Sequence, residues 1–173
     1  MNYQKLKKVS IENGDGVRVS LFVSGCRRHC PKCHNPEAWD FNSGEKFTRR
    51  VMMMTLYECE KDGISGLSIL GGEPLEKENV RDVALLIRAF RGRFGKSKTI
   101  WLYTGFTYED LLELIGTSTK EHAYWTKVIL ENIDVLVDGE YVDEKRVPPG
   151  SQFYGSSNQR IIHLEDGNVV TGT

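Results

Sequence analysis

Short apolar segments typical of β-strands alternate with amphipathic segments typical of helices along most of this chain. Runs of apolar or alternating residues predict strands over residues 17–24, 66–70, 99–103, 133–137 and 160–164. Apolar spacings of three and four predict helices over 49–61, 79–94 and 119–132, and a short helix after Thr107. Such alternation favours an α/β fold whose parallel strands are joined by crossover helices.

The predicted number of strands limits the architecture further. Four or five strands cannot close the eight-stranded barrel that this alternation often builds. No repeat, linker or low-complexity tract divides the chain. We therefore expect one domain over residues 1–173, built as a partial, open βα barrel with parallel strands.

Each predicted strand except the last runs directly into an unusual loop. The loops begin with Gly25-Cys26, Gly71-Gly72-Glu73-Pro74, Thr104-Gly105 and Asp138-Gly139. Because active sites of parallel α/β folds gather at the carboxyl ends of the strands, these loops predict one shared site.

Three of the four cysteines, Cys26, Cys30 and Cys33, fall within a single short loop. Thiolates at this spacing suit an iron–sulfur cluster or zinc. On a four-iron cluster, three cysteines leave one iron without a protein ligand, and that iron is free to chelate a small molecule. The fourth, Cys59, lies on the apolar side of a predicted helix and is expected to be a buried thiol.

Two other interpretations of the cysteines stay open at this point. A structural zinc site, as in an interaction module, needs a fourth ligand, and His29 and His34 each adjoin a cysteine, which makes a closed tetrahedron awkward. A thioredoxin-like redox pair of Cys30 and Cys33 leaves Cys26 without a role.

Charge and hydropathy exclude several classes of partner. The formal net charge of −1 gives no support for nucleic-acid or anionic-membrane binding. The first residues lack the apolar segment of a signal peptide, and no apolar run approaches the ~18 residues of a membrane span. We expect a cytoplasmic protein with no nucleic-acid and no membrane partner.

The Cys-x3-Cys-x2-Cys spacing after the first strand, followed by GGEP after the second, resembles the radical S-adenosylmethionine enzymes. Longer segments resemble one branch of them, the activating proteins of anaerobic ribonucleoside-triphosphate reductases, over about residues 3–165. Those segments are NGDGVRVSLFVSGC, CPKCHNPEAWDFNSGEKFT, WLYTGF, IDVLVDGEY and GSSNQRIIHL. Lys32 departs from the wider family, in which an aromatic residue often precedes the third cysteine.

The resemblance implies two cofactors, a 4Fe–4S cluster and S-adenosylmethionine, and assigns residues to each. Cys26, Cys30 and Cys33 are the implied cluster ligands. The residues implied to bind S-adenosylmethionine are Lys32, Cys33 and His34 on the adenine side, Gly71, Gly72, Glu73 and Pro74 around the methionine moiety, and Thr104 and Asp138 at later strand ends. Glu73 is implied to accept a hydrogen bond from the ammonium group. No catalytic acid or base is expected beyond the cofactors.

The resemblance also implies a reaction and its partners. An electron donor such as a flavodoxin or ferredoxin reduces the cluster, and cleavage of S-adenosylmethionine yields a radical that takes hydrogen from a glycine of the reductase large subunit. The alternative enzyme is another small member of the superfamily, such as a 7-carboxy-7-deazaguanine synthase. Arg27, Arg28 and His29 form either a solvated face or a surface that tunes the cluster or meets a partner.

A last expectation concerns Gly72. A side chain there is expected to obstruct S-adenosylmethionine and to spare the cysteine loop, because the two loops lie far apart in sequence.

Overall fold

A computed structural model describes residues 1–148, 150 and 152–172. Its strands are β1 (Asn2–Ser10), β2 (Val17–Val23), β3 (Glu45–Lys46), β4 (Ile64–Gly71), β5 (Thr99–Tyr103), β6 (Val135–Asp138), β7 (Arg160–Glu165) and β8 (Asn168–Gly172). Its α-helices are α1 (Arg49–Glu60), α2 (Val80–Phe94), α3 (Tyr108–Thr117) and α4 (Glu121–Leu130). None of these helices is long and apolar enough to cross a membrane.

The described strands form one open sheet in the order β3-β1-β2-β4-β5-β6-β7-β8. Its four central strands, β2, β4, β5 and β6, are parallel. The outer strands β1, β3, β7 and β8 pair antiparallel. The prediction of a parallel centre and an unclosed sheet is thus confirmed. The prediction of four or five strands, all parallel, is wrong, because the described residues form eight strands and the flanks are antiparallel.

The strands that the sequence did not reveal lie outside the parallel centre. β1 is rich in lysine and has little apolar alternation, and it is held mainly by its antiparallel ladder with β2. Within it, Tyr3 is buried and packs edge-on against Phe47, with ring centroids 6.2 Å apart. β8 is exposed along its whole length, so no apolar pattern marks it.

Threonine side chains cap the first turns of two helices. Thr48 accepts a hydrogen bond from the backbone of Val51 at 3.4 Å and starts α1. Thr107 and Asp110 form a reciprocal capping box at the start of α3, as predicted. The predicted ends of the elements that were recognised agree with the structure to within two residues.

The central strands separate two different faces of the sheet. On one face, Leu21, Ile69 and Leu102 join helix residues such as Ile87 in the main hydrophobic core. On the other, Trp101 and Val137 form a smaller cluster. The helices therefore cover one face, which leaves the strand ends and the opposite face to form the site.

Candidate iron–sulfur site

The cysteine loop and the glycine-rich loop line one cavity of approximately 440 Å³ at the carboxyl ends of β2, β4 and β5. This volume lies within the usual range of small-molecule sites, about 300–1,000 Å³. Its walls include the predicted site residues Cys26, Cys30, Cys33, His34, Gly71, Gly72, Glu73 and Thr104. The structure thus brings together residues that the sequence separates by up to three strands.

The backbone of the cysteine loop turns its N–H groups toward sulfur. His29 and Lys32 adopt left-handed conformations, with φ of 50° and 54°. Burial raises the pKa of Cys26, and backbone hydrogen bonds from Arg28 and His29 oppose this rise. The backbone N–H of Asn35 donates to Cys33 Sγ at 3.4 Å. N–H donors stabilise the anionic form of sulfur, which is the form in which cysteine binds a metal.

Three of the four cysteine thiols have a raised pKa. Burial raises the pKa of Cys26, and burial together with the nearby Glu140 carboxylate raises the pKa of Cys30 to about 11. Cys59 is fully buried on α1, as predicted, and burial raises its pKa to about 12. Metal loading at Cys26 and Cys30 must therefore displace protons.

The three cysteines of the loop are not grouped as the ligands of a single metal ion are. Among the described residues, no three His, Cys, Asp or Glu side chains are grouped closely enough to hold one metal ion. A four-iron cluster does not require that grouping, because each cysteine binds a different iron. A tetrahedral zinc site does require that grouping.

The segment after β6 holds the cysteine loop from the other side. Glu140 Oε1 lies 3.5 Å from Cys30 Sγ, and Asp143 accepts from Lys32 Nζ at 2.7 Å. The ring of Tyr141 lies 5.0 Å from that of His34. These contacts fix the cysteine loop against a strand end that lies far away in sequence.

The three residues inside the cysteine loop whose role the sequence left open each have partners. Arg27 forms ion pairs with Glu76 and Glu78. His29 stacks on Trp39 with ring centroids 4.5 Å apart.

Arg28 turns inward and lines the cavity. Its guanidinium carbon lies 4.3 Å from the centroid of the Phe106 ring, and its Nη1 lies 3.5 Å from Glu140 Oε2. The structure therefore makes Arg27 and His29 anchors of the loop and places Arg28 in the cavity wall.

The glycine-rich loop is hydrogen-bonded directly to the start of the cysteine loop. The backbone N–H of Gly72 donates to the carbonyl of Val23, and that of Glu73 to the carbonyl of Gly25, both at 2.8 Å. Gly71 has a φ of 113°, a conformation that only glycine adopts readily. The two loops therefore form one backbone unit.

The Glu73 carboxylate is buried and already occupied by groups of the protein. Its Oε1 accepts from the backbone of Leu75 at 3.0 Å and from the Thr104 hydroxyl at 2.8 Å. Its Oε2 accepts from the backbone of Gly105 at 2.8 Å. Burial raises the pKa of this carboxyl, while these hydrogen bonds oppose the shift. Glu73 thus joins the ends of β4 and β5.

Comparison with known proteins agrees with this site. The sequence model of a family described as a 4Fe-4S single cluster domain matches residues 12–162. The chain is 34% identical over 167 residues to the anaerobic ribonucleoside-triphosphate reductase-activating protein of Enterobacteria phage T4, covering 96% of this chain and 97% of that protein. It is 36% identical over 166 residues to the protein of the same name from Escherichia coli (strain K12), covering 95% and 99%. The chain belongs to the family of anaerobic ribonucleoside-triphosphate reductase-activating proteins.

Three predicted site residues of this activating-protein family member lie outside the cavity wall. The Lys32 side chain points to Asp143 and is exposed. Pro74 is buried within the glycine-rich loop. Asp138 is fully buried and accepts from the backbone of Tyr108 at 2.7 Å and from Arg160 Nε at 2.9 Å. Asp138 therefore fixes the start of α3, and a contact with S-adenosylmethionine is not evident in its position.

Several residues of the site were not predicted from the sequence. Tyr141 and Gln159 line the cavity, and Glu140 contacts Cys30. The sequence did carry a signal for Glu140 and Tyr141, because both directly follow the strand-end residues Asp138-Gly139. Gln159 has no such signal, because it enters the site only through the antiparallel pairing of β7 with β6.

Proposed function

We propose that this chain is the activating enzyme of an anaerobic ribonucleoside-triphosphate reductase. It is an oxidoreductase that uses a 4Fe–4S cluster to cleave S-adenosylmethionine reductively and so place a glycyl radical on the reductase. The observation that carries this proposal is the shared cavity of Cys26, Cys30, Cys33 and the glycine-rich loop. End-to-end similarity to proteins named for activating this reductase supports the same conclusion.

Cys26, Cys30 and Cys33 are the proposed cluster ligands. When bound and reduced, the cluster supplies the electron that breaks a carbon–sulfur bond of S-adenosylmethionine. The chain's own contribution is to place the three cysteines on one loop in the cavity wall, with a backbone N–H donated to Cys33 Sγ. The rest of the cavity is left to the small molecule.

S-adenosylmethionine is proposed to occupy the space between the cysteine loop and the glycine-rich loop. Gly71 and Gly72 let the backbone approach the methionine moiety closely, and His34 with the backbone of Lys32 and Cys33 borders the adenine side. Thr104 lies at the far wall, held by Glu73. Pro74 and Asp138 are proposed to act indirectly, by shaping the loops that follow β4 and β6.

The architecture is proposed to be the partial βα barrel of the radical S-adenosylmethionine enzymes, in one domain over residues 1–173. An open sheet edge leaves access for a loop carried by a second protein, which suits a glycine substrate on a reductase. The reaction needs an external reductant, for which a flavodoxin or ferredoxin is the proposed donor. The proposed place of action is the cytoplasm, where such donors occur.

The test is transfer of a labelled hydrogen. The reductase is produced with glycine deuterated at Cα and is mixed anaerobically with the reconstituted chain, S-adenosylmethionine and a reductant. We expect a glycyl signal by electron paramagnetic resonance and deuterium in the 5′-deoxyadenosine formed. Cys30→Ala should abolish both, and Cys59→Ala should retain both.

The opposite result is equally specific. If no protein radical forms and no deuterium transfers, while a pterin-like small molecule turns over, the proposal is wrong. In that case the chain acts as the 7-carboxy-7-deazaguanine synthase type does.

A further inference from the structure

Asn79 directly precedes α2, where it was predicted to start the helix, but its side chain caps no backbone N–H there. It is 1% exposed. Its amide Nδ2 instead donates twice, to the carbonyl of Ser24 at 2.8 Å and to the carbonyl of Glu73 at 3.0 Å. Both N–H bonds of one side-chain amide are therefore used, each on a different loop of the candidate site.

The two carbonyls lie where the strand pairing between β2 and β4 has ended. The ladder runs to Val23 opposite Gly71. Beyond it, Ser24 leads into the cysteine loop and Glu73 belongs to the glycine-rich loop. The Asn79 amide thus adds a side-chain bridge beside the backbone hydrogen bonds through which Gly72 and Glu73 already join the two loops.

We propose that Asn79 is a positioning residue for S-adenosylmethionine, setting the separation between the cysteine loop and the glycine-rich loop. The inference rests on the proposed function and deepens it. A ligand held between these loops requires their separation to be fixed before it binds, because ordering them on binding lowers affinity. A buried amide with two donors fixes it, whereas a flexible or exposed side chain does not.

A simple role in starting α2 makes the opposite prediction. Aspartate is as good as asparagine at the start of a helix, and its negative charge interacts favourably with the helix dipole. The aspartate side chain has no N–H group, so it cannot donate to the carbonyls of Ser24 and Glu73. It also brings a carboxylate against these two carbonyl oxygens. Asn79→Asp therefore separates the two roles.

The experiment compares Asn79→Asp with Asn132→Asp in the anaerobically reconstituted full chain. Asn132 is a matched control because its amide also donates to a carbonyl, that of Val128 at 2.8 Å, next to α4 and outside the cavity lining. Iron content, melting temperature and the equilibrium Kd for S-adenosylmethionine are measured for each. We expect Asn79→Asp to keep its iron and to bind S-adenosylmethionine at least about tenfold more weakly, and Asn132→Asp to bind as the wild type does.

Steady-state rates separate positioning from general damage. With the reductase present, Asn79→Asp should raise KM for S-adenosylmethionine and approach the wild-type kcat at saturation. Unchanged affinity for S-adenosylmethionine in Asn79→Asp would overturn the inference. Loss of iron would also overturn it, because Asn79 would then support the cysteine loop and not the separation of the two loops.

A second variant covers the case in which Asn79→Asp does not fold. Asn79→Ser retains a good helix-starting residue but has one shorter donor. We expect it to fold and to bind S-adenosylmethionine more weakly, and wild-type affinity would overturn the inference. Failure of the proposed function is recognised separately, because then the wild-type chain forms no glycyl radical on the reductase, whatever its affinity for S-adenosylmethionine.

Discussion

A methyl group added to Gly72 would lie 2.6 Å from the carbonyl oxygen of Gly25, the residue that precedes Cys26. It would also lie 3.0 Å from the carbonyl oxygen of Ala38. Both neighbours are backbone atoms, which cannot move aside as a flexible side chain can. The expectation that a side chain at Gly72 spares the cysteine loop rested on the separation of the two loops in sequence, whereas the structure places them in contact.

We predict that Gly72→Ala lowers both the iron content and the affinity for S-adenosylmethionine. The new methyl group must displace Gly25, and Cys26 moves with it. Iron and sulfide analysis and equilibrium binding on the reconstituted protein measure the two effects, and we expect affinity to fall about tenfold or more.

Gly92→Ala is the matched control for this change. Gly92 lies within α2 and a Cβ there meets open space. It should leave both measurements unchanged and stabilise the helix by about 0.5–1 kcal/mol. Full iron content in Gly72→Ala would show that the cysteine loop tolerates displacement of Gly25.

The four cysteines should divide into two classes. Alanine in place of Cys26, Cys30 or Cys33 should abolish the cluster, because each removes one of the three proposed ligands that line the shared cavity. Cys59→Ala should keep the full iron content and cost about 1 kcal/mol of stability, since it only leaves a small void in the core. Iron analysis and thermal unfolding of the four variants decide this. Full iron in any of the first three would remove that residue from the ligand set.

How much of this site was predictable depended on whether backbone position or side-chain direction was at issue. The strands ending at Cys26, Gly71 and Thr104 were evident from apolar runs, and parallel pairing then brought these residues together. The hydrogen-bond partners of the Glu73 carboxylate were not evident from the sequence, because a loop residue has no periodicity that shows where its side chain points. Asn79 was correctly placed at the start of a helix, yet its amide bonds backward to Ser24. Such contacts depend on tertiary structure alone.

Lys32→Ala should leave the affinity for S-adenosylmethionine and the iron content unchanged. The ammonium group points away from the cavity to Asp143, and the side chain is 77% exposed. An exposed ion pair of this kind contributes little to stability, so the loss in stability should also be small. Equilibrium binding is the measurement. A large loss of affinity would show that the lysine side chain, and not only its backbone, contacts the adenine side.

Glu73→Gln should weaken binding of S-adenosylmethionine while leaving the fold stable. Glutamine can keep one oxygen toward Leu75 and Thr104, but its NH2 group then faces the N–H of Gly105, which loses its acceptor.

The same variant should change how stability depends on pH. Because burial raises the pKa of the Glu73 carboxyl, its ionisation opposes folding. The stability that the protonated carboxyl contributes below its unfolded pKa is lost as the pH rises through its folded pKa. Replacing it by a neutral amide should therefore flatten the dependence of melting temperature on pH.

Thr104→Val distinguishes positioning by Glu73 from direct contact with the ligand. Valine matches threonine in shape and removes only the hydroxyl, which donates to Glu73 Oε1 at 2.8 Å and accepts from the backbone of Phe106 at 3.1 Å. If Glu73 acts by holding the end of β5, both variants should bind S-adenosylmethionine several-fold more weakly, because each releases the same loop. If Glu73 instead accepts directly from the ammonium group, Glu73→Gln should weaken binding and Thr104→Val should not. Equilibrium binding of both reconstituted variants separates these outcomes, and wild-type affinity in Glu73→Gln would exclude both roles.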